Sequence, residues 1–188
     1  MKRRSFIKTI AGIAAAPAIV PSHVFGNQAP SEKITLGCIG VGWMGTSNLE
    51  SFLNEDQCRV VAVCDIDKNH LENARTLVNN FYDTQDCATY HHFEELLART
   101  DIDAVMLGLP DHWHAIPAIA AANAGKDIYG EKPLSHSLRE GRAMCDAVQQ
   151  NGRIWQTGSW QRSGANFRFA CELVRNGRIG KVKRVEVG

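Results

Sequence analysis

From residue 34 onward, short apolar runs alternate with longer stretches whose apolar positions recur at helical spacing. Residues 34–39 form the first run, followed by glycines and then a predicted helix to about Asn54. Residues 59–64 form a second run, rich in valine, as a strand buried on both faces requires. The pattern then predicts a polar-faced helix over 68–81, a short helix over 93–99 and a third buried strand over 104–109. An alanine-rich helix over 113–124 stops at Gly125, and 127–129 read as a short strand. Ser137-Leu138-Arg139-Glu140 is a capping box that opens another helix, with Leu138, Gly141, Cys145 and Val148 on one face. Asn151-Gly152 ends that helix, and 153–157 form a further strand. Phe167, Ala170, Cys171 and Val174 fall at i, i+3, i+4 and i+7, which predicts a helix with a buried stripe. Residues 181–187 alternate as a strand with no partner in this sequence, and so read as the start of a second, truncated domain.

Alternating strands and helices give an α/β fold, a doubly wound parallel sheet with helices on both faces. The expected organisation is a nucleotide-binding domain over 34–158 and the start of a substrate domain over 159–188. There is no internal repeat and no low-complexity tract.

The first 26 residues stand outside this pattern. Lys2-Arg3-Arg4 is a cationic start, and residues 7–20 are apolar and alanine-rich but too short for a confident membrane span. Arg3-Arg4-Ser5-Phe6-Ile7-Lys8 resembles a twin-arginine export signal, a receptor-read address for folded proteins, with cleavage expected after Gly26. The expected location is the periplasm or cell envelope, with the export machinery as a partner. Residues 27–33 read as a polar linker.

Charge changes the picture little. Four of the 21 basic residues lie in the leader and none of the 20 acids does, so the remainder is slightly acidic. With no basic stripe, nucleic acid is not an expected partner. The six cysteines include no Cys-x-x-Cys pair. Cys38 and Cys64 lie in strand runs, and Cys145 and Cys171 on apolar helix faces, so buried free thiols are expected.

The candidate chemistry begins at Gly40-Val41-Gly42-Trp43-Met44-Gly45, between a strand and a helix. Gly40 permits a tight turn, Gly42 lets the backbone approach a pyrophosphate, and Gly45 lets the helix pack close to the sheet. The helix N-terminus offers N–H groups and partial positive charge to phosphates. Asp65 ends the next strand, 20 residues after Gly45, the spacing of an acid that accepts from the adenosine ribose. Together these define the first half of a Rossmann domain. A carboxylate at Asp65 repels a 2′-phosphate, and Lys68 is the only cation close behind it, so NAD is favoured over NADP.

Glu131-Lys132-Pro133, after a strand and before the capped helix, makes the pattern more specific, as does Leu109-Pro110-Asp111-His112-Trp113-His114. With the glycines and Asp65, these residues resemble the Gfo/Idh/MocA oxidoreductases, named for glucose–fructose oxidoreductase and inositol dehydrogenase, over residues 33–187. The resemblance implies a second α+β domain with an open, mostly antiparallel sheet that supplies much of the substrate site and often the oligomer interface. It implies that Lys132 is the catalytic residue, near the nicotinamide and the reacting carbinol. A desolvated lysine there can also lose its proton near neutral pH. It places Glu131 and Pro110 at the cofactor, and His114 on the nicotinamide side.

After Gly158, Trp160 and Arg162 are candidates for substrate contact, Trp160 by stacking on a sugar face and equally as a core residue. His112 and His114 form a His-x-His pair without an evident third ligand, and no metal is expected. His91-His92 opens a predicted surface helix. Export adds one constraint. The envelope holds little free nicotinamide, so the cofactor should be tightly carried and regenerated within each cycle. The expected activity is hydride transfer on a sugar or polyol. The alternatives are a glycosidase working by transient oxidation and elimination, and a non-catalytic sugar- or nucleotide-binding protein.

Overall fold

The computed structural model describes residues 32–186. The expected leader (1–26) and most of the expected linker (27–33) lie outside these residues, as do Val187 and Gly188. Six strands form one parallel sheet: β1 (Ile34–Ile39), β2 (Cys58–Cys64), β3 (Ala88–Tyr90), β4 (Ala104–Leu107), β5 (Asp127–Gly130) and β6 (Trp155–Thr157). Their order is β3-β2-β1-β4-β5-β6, and every neighbouring pair is parallel. That is the doubly wound Rossmann order, in which the chain reverses direction across the sheet between β1 and β4.

The helices are α1 (Trp43–Leu53), α2 (Lys68–Tyr82), α3 (Phe93–Leu97), α4 (Ala115–Asn123), α5 (Leu138–Gln150), α6 (Trp160–Ser163) and α7 (Ala165–Arg175), with a 3₁₀ turn at Asp111–Trp113 before α4. The strand side chains alternate between two buried clusters. Met106 joins Leu36, Cys38, Leu49 and Val78, under α1 and α2. Its neighbours Val105 and Leu107 join Leu96, Ala118, Ala121 and Met144, under α3, α4 and α5. This period-two division is what a sheet buried on both faces requires. The alanines of α4 let it lie close to its neighbours, with Ala121 and Ala122 wholly buried.

The capping chemistry is local. Ser137 and Glu140 complete the reciprocal box at α5, the Glu140 N–H donating to Ser137 Oγ at 3.3 Å and the Ser137 N–H to Glu140 Oε2 at 2.9 Å. Asp67 caps α2 by accepting from the Asn69 and His70 N–H groups, which holds its carboxyl below the usual range.

Five expectations are corrected. The three-residue strand β3 was absent from the sequence reading. The helix expected over 113–124 is divided into the 3₁₀ turn and α4, because the Trp113 N–H closes a tight turn on the Pro110 carbonyl. The stripe on α7 is exposed rather than buried, Cys171 included, since no described element covers it. Leu138 and Cys145 on α5 are likewise exposed, and that helix buries Met144 and Ala147 instead. No strand forms over 181–186, where the described residues provide no edge for pairing.

Candidate cofactor site

The loops after β1, β2, β4 and β5 meet at the C-terminal edge of the sheet, around the point where strand order reverses. Ligands bind there in open α/β sheets. Gly40 follows β1 with φ +77°, a conformation that a side chain disfavours. A Cβ on Gly40 would lie 2.6 Å from the Gly108 carbonyl oxygen, and one on Gly108 would lie 2.7 Å from the Gly45 Cα. A Cβ on Gly45 would overlap the Gly40 carbonyl oxygen. Three backbones therefore pack against one another without side chains, and this draws the start of α1 down onto the ends of β1 and β4. Gly108 is a member that the sequence reading missed. Its signal was its place directly after β4, matching Gly40 after β1.

The N-cap of α1 is Gly42, which offers no side-chain acceptor to the first-turn N–H groups. Asp67 and Ser137 supply such acceptors at α2 and α5. The positive end of α1 is thus left for an external acceptor, and a pyrophosphate fits it. The loop is braced from inside by Thr46, whose Oγ1 donates to the Val41 carbonyl at 2.7 Å. Trp43 is almost fully exposed at the helix start, and Met44 is half-buried behind it.

Asp65 stands beside this loop, at the end of β2. Its Oδ2 accepts from the Val41 N–H at 2.8 Å, and its Oδ1 accepts from the Asp67 N–H at 2.8 Å. Each oxygen keeps acceptor capacity for a ribose hydroxyl. Ile66 follows with its side chain almost wholly exposed.

Pro110 caps the 3₁₀ turn that follows β4. His114 is fully buried, with Nε2 2.7 Å from the Leu109 carbonyl oxygen, so it ties that turn to the strand end. His112 is exposed on the same turn. Among the described residues, no group of three or more His, Cys, Asp or Glu side chains is placed to hold a metal ion.

Glu131 and Lys132 follow β5 and point to different environments. Glu131 is buried, its Oε1 accepting from Asn48 Nδ2 on α1 at 3.0 Å and its Oε2 from the Lys132 N–H at 3.2 Å. Gly158, after β6, makes room for it: a Cβ there would lie 2.6 Å from Glu131 Oε1. Burial, followed by the nearby Glu131 carboxylate, pushes the Tyr129 hydroxyl up. The Lys132 side chain is exposed, so the desolvated lysine of the sequence reading is not found within this chain. Trp160 and Arg162, on α6, are exposed among the described residues.

Fold and site together define an NAD-binding Rossmann domain. The family model described as "Oxidoreductase family, NAD-binding Rossmann fold" matches residues 34–159, and the chain belongs to this Gfo/Idh/MocA family. It is 29% identical over 144 residues to a 2,7-anhydro-N-acetylneuraminate hydratase of Mediterraneibacter gnavus, covering 77% of this chain and 36% of that protein. It is 28% identical to a glycosyl hydrolase family 109 protein of Shewanella pealeana, covering 97% of this chain and 44% of the relative. Among solved structures, myo-inositol 2-dehydrogenase of Lactobacillus plantarum matches with a TM-score of 0.69 and 29% identity, over 80% of this chain and 43% of that one. The chain therefore spans less than half the length of these relatives.

Proposed function

We propose that this chain belongs to an exported oxidoreductase that carries NAD tightly and uses it for hydride transfer on a sugar or polyol. One observation carries the reading. At the end of β5, adjacent residues divide into a buried carboxylate, Glu131, held by Asn48 of the phosphate-loop helix, and an exposed cation, Lys132. The first couples the catalytic turn to the cofactor cradle. The second is available to a substrate hydroxyl.

When bound, NAD supplies a hydride acceptor that can return the hydride within the same cycle. Gly40, Gly42 and Gly45 would present backbone to the pyrophosphate, and Asp65 would accept from the adenosine ribose. Pro110 and His114 would line the nicotinamide side, and Glu131 would brace the turn that carries Lys132. The Lys132 ammonium would hold the substrate hydroxyl and steady the carbonyl oxygen that forms from it, while a base of the second domain takes the hydroxyl proton. Trp160 and Arg162 contribute to the sugar side. A second domain, beginning at about residue 159, supplies the rest of the substrate site and the homo-oligomer interface.

Arg3-Arg4-Ser5-Phe6-Ile7-Lys8 supports delivery by the twin-arginine route to the periplasm or envelope. It also supports a carried cofactor, because an exported enzyme cannot draw on the cytoplasmic pool. The test is release of nicotinamide by denaturing full-length protein isolated from the cell envelope. About one nicotinamide per chain supports a carried cofactor, and protein devoid of nicotinamide contradicts it.

A second reading is favoured by the match to the glycosyl hydrolase family 109 protein across 97% of this chain. In it, a sugar carbon is oxidised, the glycosidic bond is eliminated, water adds to the resulting double bond, and the carbon is reduced again. Release of a sugar from an aryl glycoside without net NADH formation distinguishes the two.

A further inference from the structure

His70 stands where the sequence reading found only Lys68 to temper the charge of Asp65. It lies in the first turn of α2, half-exposed, with Nδ1 3.8 Å from Asp65 Oδ1. Its ring also covers Gly42: a Cβ on that glycine would come within 2.9 Å of His70 Nδ1 and 3.0 Å of its Cε1. The imidazole therefore sits against both the phosphate loop and the ribose acid.

We propose that His70 is the positioning residue that sets how strongly this chain discriminates NAD from NADP, its charged form pairing with Asp65 and relieving the penalty on a 2′-phosphate. The proposal rests on the NAD-binding assignment and not on the substrate. The surrounding charges are few. Asp65 faces the ring from β2, and Asp67 interacts with it from the helix cap. Lys68 precedes it on the same turn. His91, from the loop before α3, has Nδ1 3.1 Å from the Asp65 carbonyl oxygen rather than its carboxylate. The phosphate loop, Gly40 to Gly45, brings no charged side chain.

The sign follows from histidine chemistry. Histidine ordinarily gains its charge as pH falls from 8 to 5. With His70 neutral, Asp65 confronts a 2′-phosphate uncompensated. With His70 charged, the carboxylate is paired and the phosphate gains a cationic neighbour. The 2′-phosphate itself takes up a proton near pH 6, which eases repulsion regardless of residue 70. Only the difference between wild type and variants reports on His70.

The test is the ratio of the NADP and NAD dissociation constants, measured by calorimetric titration of the full chain at about pH 8 and about pH 5.5. The variants are His70→Asn, which keeps a polar group without charge, and His70→Arg, charged at both pH values. In the wild type the ratio should narrow by about fivefold more than in His70→Asn, the size of an ion pair with one exposed member. His70→Arg should show the narrowed ratio at both pH values. An equal pH response in wild type and His70→Asn overturns the proposal while leaving the NAD site intact. Failure of the wild type to bind NAD at all overturns the site and the proposal with it.

Discussion

The Val41 N–H donates to Asp65 Oδ2 at 2.8 Å, so the acid that ends β2 also fixes the loop that follows β1. Spacing along the chain identified Asp65 as a ribose acceptor. The contact adds a second duty, because the same carboxylate shapes the phosphate cradle. Asp65→Ala should therefore weaken NAD through both terms. The expected rise in Kd is about 10- to 100-fold, as for loss of a hydrogen bond to a charged group. Titration of the folded variant checks it, and an unchanged Kd contradicts the dual role.

The glycine contact behind the loop gives a stability prediction. A Cβ on Gly108 would come within 2.7 Å of both the Gly40 carbonyl oxygen and the Gly45 Cα. Backbone cannot move aside as a flexible side chain can. Gly108→Ala should cost about 1–3 kcal/mol, the range for overpacking a close-packed site. It should also weaken NAD binding, since the start of α1 is pushed off the sheet. Urea unfolding and NAD titration of the same variant measure the two effects. Retention of both wild-type values would show that the packing has more room.

Lys126 is buried, and its Nζ donates to the Arg99 carbonyl at 2.6 Å and the Ile102 carbonyl at 2.8 Å. It closes the turn between α3 and β4, far from any chemistry. Lys126→Met should lower stability by about 2–3 kcal/mol, because the buried Ile102 carbonyl and the part-buried Arg99 carbonyl lose a charged donor. NAD affinity should be unchanged. A urea midpoint equal to that of the wild type would contradict this.

The thiols should separate by environment. Burial pushes Cys64 up to about 12 and Cys87 up to about 11, from an ordinary 9.0, and pushes Cys38 still higher. Cys145 and Cys171 are exposed. Alkylation of the folded chain near neutral pH should label the exposed pair and leave the three buried thiols until unfolding. The raised values also set a pH dependence. The unfolded chain loses these thiol protons above about pH 9 while the folded chain keeps them, so their contribution is complete below that pH. It should diminish from about pH 9 towards 12 as the folded thiols ionise. Stability that stays flat through this window would contradict their burial.

The legible parts of the molecule were those with a local signature. Strand β1, the glycines and Asp65 form a motif within 32 residues, and Ser137 with Glu140 form one within four. The parts missed depend on distant partners. Ala88–Tyr90 is too short to show a period, and it becomes a strand because Ala62–Cys64 offers an edge. The reach of Asn48 to Glu131 spans 83 residues. The contact of His70 with Gly42 joins the start of one helix to the start of another. The spacing of Phe167, Ala170, Cys171 and Val174 correctly marks an apolar face of α7, but a period cannot say whether a described element covers it.

The central claim is that this chain's cradle holds NAD for chemistry at Lys132. It is tested most directly in the full-length protein by comparing wild type with Lys132→Met, following the absorbance of bound nicotinamide after adding candidate polyols and glycosides. The account predicts that both proteins hold NAD with Kd values within about threefold. Only the wild type should show reduction of the nicotinamide, persistent for a dehydrogenase or transient for the redox glycosidase. Reduction at the wild-type rate in Lys132→Met, or a wild type that binds no NAD, would contradict it.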